Sequence, residues 1–282
     1  TLETERRQQS KDGTVKYLFR LPDGNCIETV LMRYSYGNTV CVSTQVGCRM
    51  GCRFCASTQG GRVRNLTAGE IANEVYAAAR DTGERVSHIV LMGIGEPLDN
   101  FDHVMDFLSI ISSPNGVNIG MRNISLSTCG LVPMIYKLAE RHLGLTLSVS
   151  LHAPTDEMRS SMMPVNDVYP VEQLIRACRD YQQETGRRVS FEYSMVNGVN
   201  DSPQTARRLA QLIKGMGAHV NLIPINPVDG SPYSATDAAN VKRFQTLLTE
   251  LGVNATVRRR LGTDISAACG QLRREAKGGT TA

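Results

Sequence analysis

The sequence predicts an α/β fold: a partial, open TIM-type barrel of six β/α units, with an N-terminal β-hairpin extension and a C-terminal strand and loop. Two observations predict it. Short apolar runs alternate with amphipathic stretches from residue 39 to residue 258. That alternation implies a parallel sheet with right-handed crossovers. The motifs able to carry chemistry fall just after these runs, at the C-terminal strand ends where such folds gather function.

The elements follow in order. Residues 16–21 alternate, Pro22-Asp23-Gly24-Asn25 makes a turn, and residues 26–32 alternate again, the pattern of a β-hairpin. Residues 39–44 read as a strand, followed by a loop that carries cysteines. Thr67-Ala-Gly-Glu70 is a capping-box signature opening a helix that reaches about residue 81. Further strands are expected at 88–92, 123–127, 146–151, 189–194, 219–223 and 254–258. The expected helices are 101–112, 132–141, 171–184, 203–214 and 236–250. Three domains result: a linker and hairpin extension over 1–38, the barrel over 39–260, and a C-terminal loop and basic tail over 261–282. The tail from residue 277 is expected to be disordered.

Composition bounds the function. The 282 residues are 41% hydrophobic and 21% charged, which permits a sizeable core and argues against a disordered chain. No apolar run approaches the roughly 20 residues of a membrane helix. The first fourteen residues are polar and charged, unlike a signal peptide, and with no initiator Met the sequence reads as a fragment. A cytoplasmic protein is expected. The net charge of +4 permits nucleic acid as a partner without demanding it. Arginines cluster at 258–260 and at 273–274, and by charge alone such runs are solvated surface.

Eight cysteines in such a chain argue for metal or redox chemistry rather than a disulfide framework. Cys48-x-x-x-Cys52-x-x-Cys55 supplies three thiolates from one loop. Four-iron clusters ordinarily take four cysteines, so three leave one iron open. An open iron can chelate the amino and carboxylate groups of S-adenosylmethionine (SAM), and an electron passed to the sulfonium yields a 5′-deoxyadenosyl radical. Gly47 and Gly51 let the loop wrap tightly, and Phe54 offers an apolar wall. A zinc site of three cysteines and a distant fourth ligand is the alternative. Gly93-Ile94-Gly95-Glu96-Pro97, after the next strand, reads either as a plain turn or as part of the same site. Cys129 and Cys178 suit buried apolar positions, and Cys26 has no assigned role.

The CxxxCxxC loop, with an aromatic before its last cysteine, resembles the radical SAM signature, and Gly95-Glu96 resembles that superfamily's motif for the SAM amino group. Asp264-Ile-x-Ala-Ala-Cys-Gly-Gln-Leu272 resembles the RlmN/Cfr family of radical SAM RNA methyltransferases. The resemblance covers nearly the whole chain. It includes Cys41-Val-Ser-Thr-Gln-Val-Gly-Cys48, Arg64-Asn-Leu, Ser150-Leu-His-Ala-Pro and Met163-Pro-Val-Asn. Met92-Gly-Ile-Gly-Glu-Pro-Leu and Ile223-Pro-Ile-Asn-Pro227 are similar to the RlmN branch.

The resemblance implies a 4Fe-4S cluster on Cys48, Cys52 and Cys55 and two SAM molecules per turnover. It implies methylation of C2 of an adenosine in the peptidyl-transferase centre of 23S rRNA, and of the adenosine 3′ of the anticodon in tRNA. Cys269 would carry the methyl group, Cys41 would remove the C2 proton and resolve the protein–RNA link, and Glu28 would accept a proton. Ser127, Ser150, Leu151, His152 and Asn226 match SAM contacts. The arginine clusters become candidate RNA contacts. A reductant is a required partner, no membrane is, and a monomer is expected. The resemblance also implies a helical domain preceding the barrel in other members. Ser266 stands where the family has Asp. Two alternatives remain: Cfr-like methylation at C8, and a zinc-stabilised RNA-binding module without catalysis.

Overall fold

The computed structural model describes residues 2–225, 232–262, 264–265 and 272. The chain forms two compact units: Thr1–Arg49, Cys55–Ser127 and Arg260–Ala282 make the first, Met50–Phe54 and Thr128–Arg259 the second.

The first unit begins with β1 (Glu3–Gln9), β2 (Val15–Arg20), β3 (Cys26–Tyr34) and β4 (Gly37–Cys41), paired antiparallel in chain order. The expected hairpin is β2–β3, with Leu18 opposite Glu28. β1 is not visible in the hydrophobic pattern, because all but one of its residues are exposed. Main-chain pairing to β2 makes it a strand, and its charged side chains protect a sheet edge.

The strand expected over 39–44 ends early, at Cys41. The chain then turns into β5 (Gln45–Gly47), which pairs with β6 (Arg62–Asn65) in a separate ribbon. α1 (Ala68–Thr82) has the full capping box: Thr67 Oγ1 accepts from Glu70 N–H, and the Glu70 carboxylate accepts from Thr67 N–H. Ile71, Ala72, Val75 and Ala78 form its buried face. β7 (Val86–Leu91) is parallel to β4. α2 (Phe101–Ser112) leads to β8 (Ile124–Thr128), parallel to β7.

The second unit holds α3 (Val132–Ala139), β9 (Thr146–Ser150), α4 (Asp156–Met162), α5 (Val171–Thr185) and β10 (Val189–Met195). α6 (Pro203–Leu212), β11 (His219–Pro224), α7 (Ala238–Glu250) and β12 (Asn254–Val257) complete it. β9, β10, β11 and β12 are parallel neighbours in that order. The sequence did not predict α4. It is two turns long, and polar Asp156-Glu157 at its start hide it; Thr155 caps it by accepting from Met158 N–H.

β4, β7, β8, β9, β10 and β11 are each followed by a helix, the six expected β/α units, with β12 as the C-terminal strand. No described helix is long and apolar enough to cross a membrane.

The capping box makes a direct prediction. Thr67→Ala should lower unfolding free energy by about 1 kcal/mol. Urea denaturation measures it, and no change would mean that α1 is set by packing alone.

Candidate active site

In the first unit the site grows from the end of β4. Cys41 pairs with Val30 on β3 and Val90 on β7. Its side chain is buried with Val30 and Met32, against partly buried Met92 and Leu261. Glu28 lies two residues from Val30, so strand alternation puts it on the same face as Cys41. A strand glutamate alone reads as exposed, but Glu28 is buried, 2.9 Å from the fully buried ammonium of Lys16. An ion pair so placed needs its partner, since removing one member leaves a buried charge.

Ser43 follows as the chain leaves the sheet. Its hydroxyl donates to the Glu28 carbonyl (2.7 Å) and accepts from Ile94 N–H (3.1 Å). Its own N–H donates to Glu74 Oε2 at 3.0 Å, which also accepts from the Thr29 hydroxyl. Glu74, on α1, is fully buried, and its Oε1 has no hydrogen-bond partner among the described residues. Burial pushes the Glu74 carboxyl well above the usual carboxylate range.

The glycine motif sits against this junction. A Cβ on Gly93 would lie 2.5 Å from the Val42 carbonyl oxygen. Gly95 has φ +111°, and a Cβ there would meet the Gln45 side chain at 2.7 Å. Both positions therefore require glycine. Glu96 is buried, and its Oε1 accepts from Leu98 N–H, capping the short turn Pro97–Asn100.

The thiol loop divides between the units. Cys48 is buried in the first, its N–H donating to the Gly61 carbonyl (3.1 Å), and Cys55 is half-buried in the same unit. Met50–Phe54, with buried Cys52, belongs to the second unit. There Arg53 N–H donates to the Met162 carbonyl, and the Phe54 ring meets His152 edge-on with centroids 4.9 Å apart. The apolar wall expected of Phe54 thus packs on a candidate site residue. Among the described residues no three His, Cys, Asp or Glu side chains converge on a single ion. The fit to a cluster lies instead in the donor set, three thiols in one short loop.

In the second unit, Ser150 ends β9, and Leu151 and His152 donate their N–H groups to the Glu192 carbonyl. His152 is buried with φ +57°. Its Nδ1 accepts from Ser194 N–H at 2.9 Å. Burial, helped by nearby Arg159, pulls its pKa down to about 3, so the ring is neutral with its proton on Nε2. Arg159 is the residue that sequence reasoning missed. It is fully buried on α4, and its guanidinium donates to the carbonyls of Leu151, Ser150 and Cys129 and to Asn166 Oδ1. A fully buried arginine is rare enough that composition gives no hint of it. The quoted Met163-Pro-Val-Asn motif was the available signal, since Asn166 is its partner.

Ser127 is half-buried on β8. Cys129 is buried near the start of α3, and Cys178 is buried in α5, where burial pushes its thiol up to about 12. Cys26 is partly exposed and donates to Glu5 Oε2. Arg258 is half-buried, and Arg259 and Arg260 are exposed. Asn226, Cys269, Ser266, Arg273, Arg274 and the tail from residue 277 lie outside the described residues. The chain leading towards Cys269 is held to the β1–β2 turn: Gly262 N–H donates to Asp12 Oδ2, and the Asp264 carboxylate accepts from Lys11 N–H and the Ser10 hydroxyl.

Comparison with known proteins follows the same lines. Residues 42–210 match the family described as the radical SAM superfamily. A protein of Desulforamulus reducens named "Probable dual-specificity RNA methyltransferase RlmN" is 57% identical over 265 residues, covering 94% of this chain and 76% of its own. One of the same name from Desulforudis audaxviator is 55% identical, covering 96% and 85%. The crystal structure of a radical SAM methyltransferase from Sphaerobacter thermophilus superposes with a TM-score of 0.93 at 50% identity, over 96% of this chain and 80% of that one. HydG, a maturase of the FeFe-hydrogenase, shares the fold alone, with a TM-score of 0.57 at 18% identity over 77% of this chain and 50% of its own.

Two predictions follow from the buried charges. The unfolded chain loses the Glu74 proton near the ordinary carboxyl value of 4.5, whereas burial in the folded chain raises that value. The stabilisation is therefore complete below the unfolded value and is lost as pH rises towards the folded one. Glu74→Gln cannot ionise, so urea denaturation between about pH 5 and pH 8 should show it gaining on wild type as pH rises. A pH-independent difference would show that Glu74 is ionised in the fold. Arg159→Ala leaves buried carbonyls without donors and should cost about 3–5 kcal/mol in the same assay.

Proposed function

Because the chain belongs to the radical SAM superfamily, and within it to the RlmN family of RNA methyltransferases, we propose that it methylates C2 of one adenosine in the peptidyl-transferase centre of 23S rRNA and C2 of the adenosine 3′ of the anticodon in tRNA. The enzyme is a radical SAM RNA methyltransferase. Membership removes the reading of a non-catalytic zinc module.

The observation that carries the C2 proposal is the pairing of Cys41 with Val30, which sets Cys41 and Glu28 on one face of β3–β4. Adenine C2 is an electron-poor carbon between two ring nitrogens, so it does not displace a methyl group from a sulfonium. The reaction needs a radical source, a methyl carrier and a thiol to release the product. Cys48, Cys52 and Cys55 would hold the 4Fe-4S cluster, and Gly95, Glu96, Ser127, Ser150, Leu151, His152 and Asn226 would hold SAM. When bound, these groups supply a methyl group and a hydrogen-abstracting radical.

The rest falls to side chains. Cys269 carries the methyl carbon and through it becomes linked to C2. Cys41 takes the C2 proton as the adduct gives up its one unpaired electron to the redox centre that the three thiols would hold. Freed of that proton, the Cys41 thiolate attacks the Cys269 sulfur; the S–CH2 bond breaks with its electron pair on the C2-bound carbon, which takes a proton to become methyl, leaving a Cys41–Cys269 disulfide. A thiol reductant supplies two electrons to reopen it. Glu28 accepts a proton, its charge balanced by Lys16. His152, neutral and anchored through Nδ1, presents a donor at Nε2 rather than a base. The target base leaves its stack to react. Arg258, Arg259 and Arg260 supply phosphate contacts. The enzyme works as a monomer in the cytoplasm, where its RNA substrates reside.

Mass spectrometry of digested rRNA and tRNA, from a deletion strain with and without this gene, tests the proposal. The expected product is 2-methyladenosine in both RNAs; 8-methyladenosine alone would assign the Cfr-like reaction instead. Cys269→Ala should abolish methylation while retaining SAM cleavage. Cys41→Ala should accumulate a covalent protein–RNA adduct on denaturing gels, and its absence would remove Cys41 from the resolving role.

A further inference from the structure

One carboxylate of the first unit gathers more donors than a surface turn requires. The Asp99 side chain is 7% exposed. Its Oδ2 accepts from Gln45 Nε2 (2.9 Å), Arg49 Nε (3.1 Å) and Arg62 Nη1 (3.1 Å), and its Oδ1 from Arg49 Nη2 (2.5 Å). Two guanidiniums share one acid, so the cluster keeps a positive charge, and the bidentate grip of Arg49 fixes its direction as well as its distance.

The partners explain the geometry. Arg49 directly follows Cys48, and Arg62 directly follows Gly61, whose carbonyl accepts the Cys48 N–H. Asp99 therefore holds both sides of the ring that carries the first thiolate. Gln45 is fully buried, and its amide has only one workable orientation. Its Oε1 accepts from Glu96 N–H (2.9 Å), while Nε2 donates to Asp99 and to Asn65 Oδ1. The same side chain fills the space that a Cβ on Gly95 would occupy. A run of hydrogen bonds thus leads from Glu96 N–H through Gln45 to Asp99 and on to Arg49, whose main chain continues directly into Cys48.

We propose that Asp99, acting through Gln45 and Arg49, is a positioning residue that sets the register between the first cluster thiolate and the Gly95–Glu96 backbone that receives the amino end of SAM. The proposal rests on the cofactor assignment above. SAM is small and must meet both points at once, so a shift of about 1 Å in their separation costs binding or rate even with every direct ligand intact. A plain ion pair at the surface would make no such link, and a purely structural acid would act on stability alone.

The test uses the anaerobically reconstituted full chain, with Asp99→Asn as the isosteric neutral variant and Arg49→Gln as a second variant. The Arg49 side chain is 58% exposed, so the fold tolerates its loss. Iron content should stay at the wild-type level in both, because the three thiols remain. SAM affinity should fall roughly tenfold in Asp99→Asn and less in Arg49→Gln. The change that SAM causes in the electron paramagnetic resonance spectrum of the reduced cluster should broaden or vanish. Before reconstitution, Cys48 should be alkylated faster in Asp99→Asn, with Cys55 unchanged. Wild-type SAM affinity, spectrum and alkylation in both variants would overturn the proposal, as would a loss of stability with SAM affinity intact. A wild-type protein that takes up iron but neither binds nor cleaves SAM would overturn the cofactor assignment instead, a result distinguishable from failure of the Asp99 proposal.

Discussion

Where β4 ends, the chain must leave a sheet, turn within three residues, and begin a loop of thiols while its backbone stays out of water. Buried amides and carbonyls without partners are costly there; those of Val42, Thr44 and Gln45 pair with backbone at Val90, Gly93, Ile94 and Leu66, while the Ser43 amide turns to a side chain. Ser43 is the centre of that arrangement. Its hydroxyl joins β3, through the Glu28 carbonyl, to the glycine motif, through Ile94 N–H, and its own amide ends on the Glu74 carboxyl. Burial disfavours a charge on that carboxyl, and the Thr29 hydroxyl and the Ser43 amide donate hydrogen bonds to it. Cys41, Glu28 and the start of the thiol loop all take their places from this junction.

The second unit meets the same problem with the opposite polarity. After β9 the groups that need partners are carbonyls, and a buried guanidinium provides the donors. Arg159 can serve several carbonyls because its donors are arranged in a rigid plane, which a lysine would not match. His152, with left-handed backbone and a main-chain donor on Nδ1, belongs to this frame as much as to the cofactor pocket proposed for it. Positioning groups and candidate binding groups are therefore neighbours along the chain, and substitution of the former alters the latter without touching a ligand.

The regular elements were legible where local signals were strong. α1 starts at its capping box, and α2 spans the residues its periodicity indicates, because apolar spacing and caps are properties of a short window. β1 and α4 escaped for a common reason. Their residues are mostly polar, and each exists because of a partner: the free edge of β2 for one, the strand-end carbonyls that Arg159 serves for the other. The early end of β4 escaped because Val42 and Ser43 continue the apolar, β-branched or small pattern while their hydrogen bonds go to Val90, Gly93 and Glu74.

The sequence by itself determined the chemistry. Thiol spacing, the glycine motif and the order of strands and helices are covalent or short-range facts, and they suffice to name the family and the donor atoms. Only the tertiary structure decided the electrostatic state and register of those atoms. That Glu28 is buried against Lys16, that burial raises the Glu74 carboxyl, that His152 is neutral, and that Asp99 ties Cys48 to Glu96 all depend on residues far apart in sequence being brought together on folding. Desolvation and long-range hydrogen bonding arise only on folding, and no window of sequence contains them.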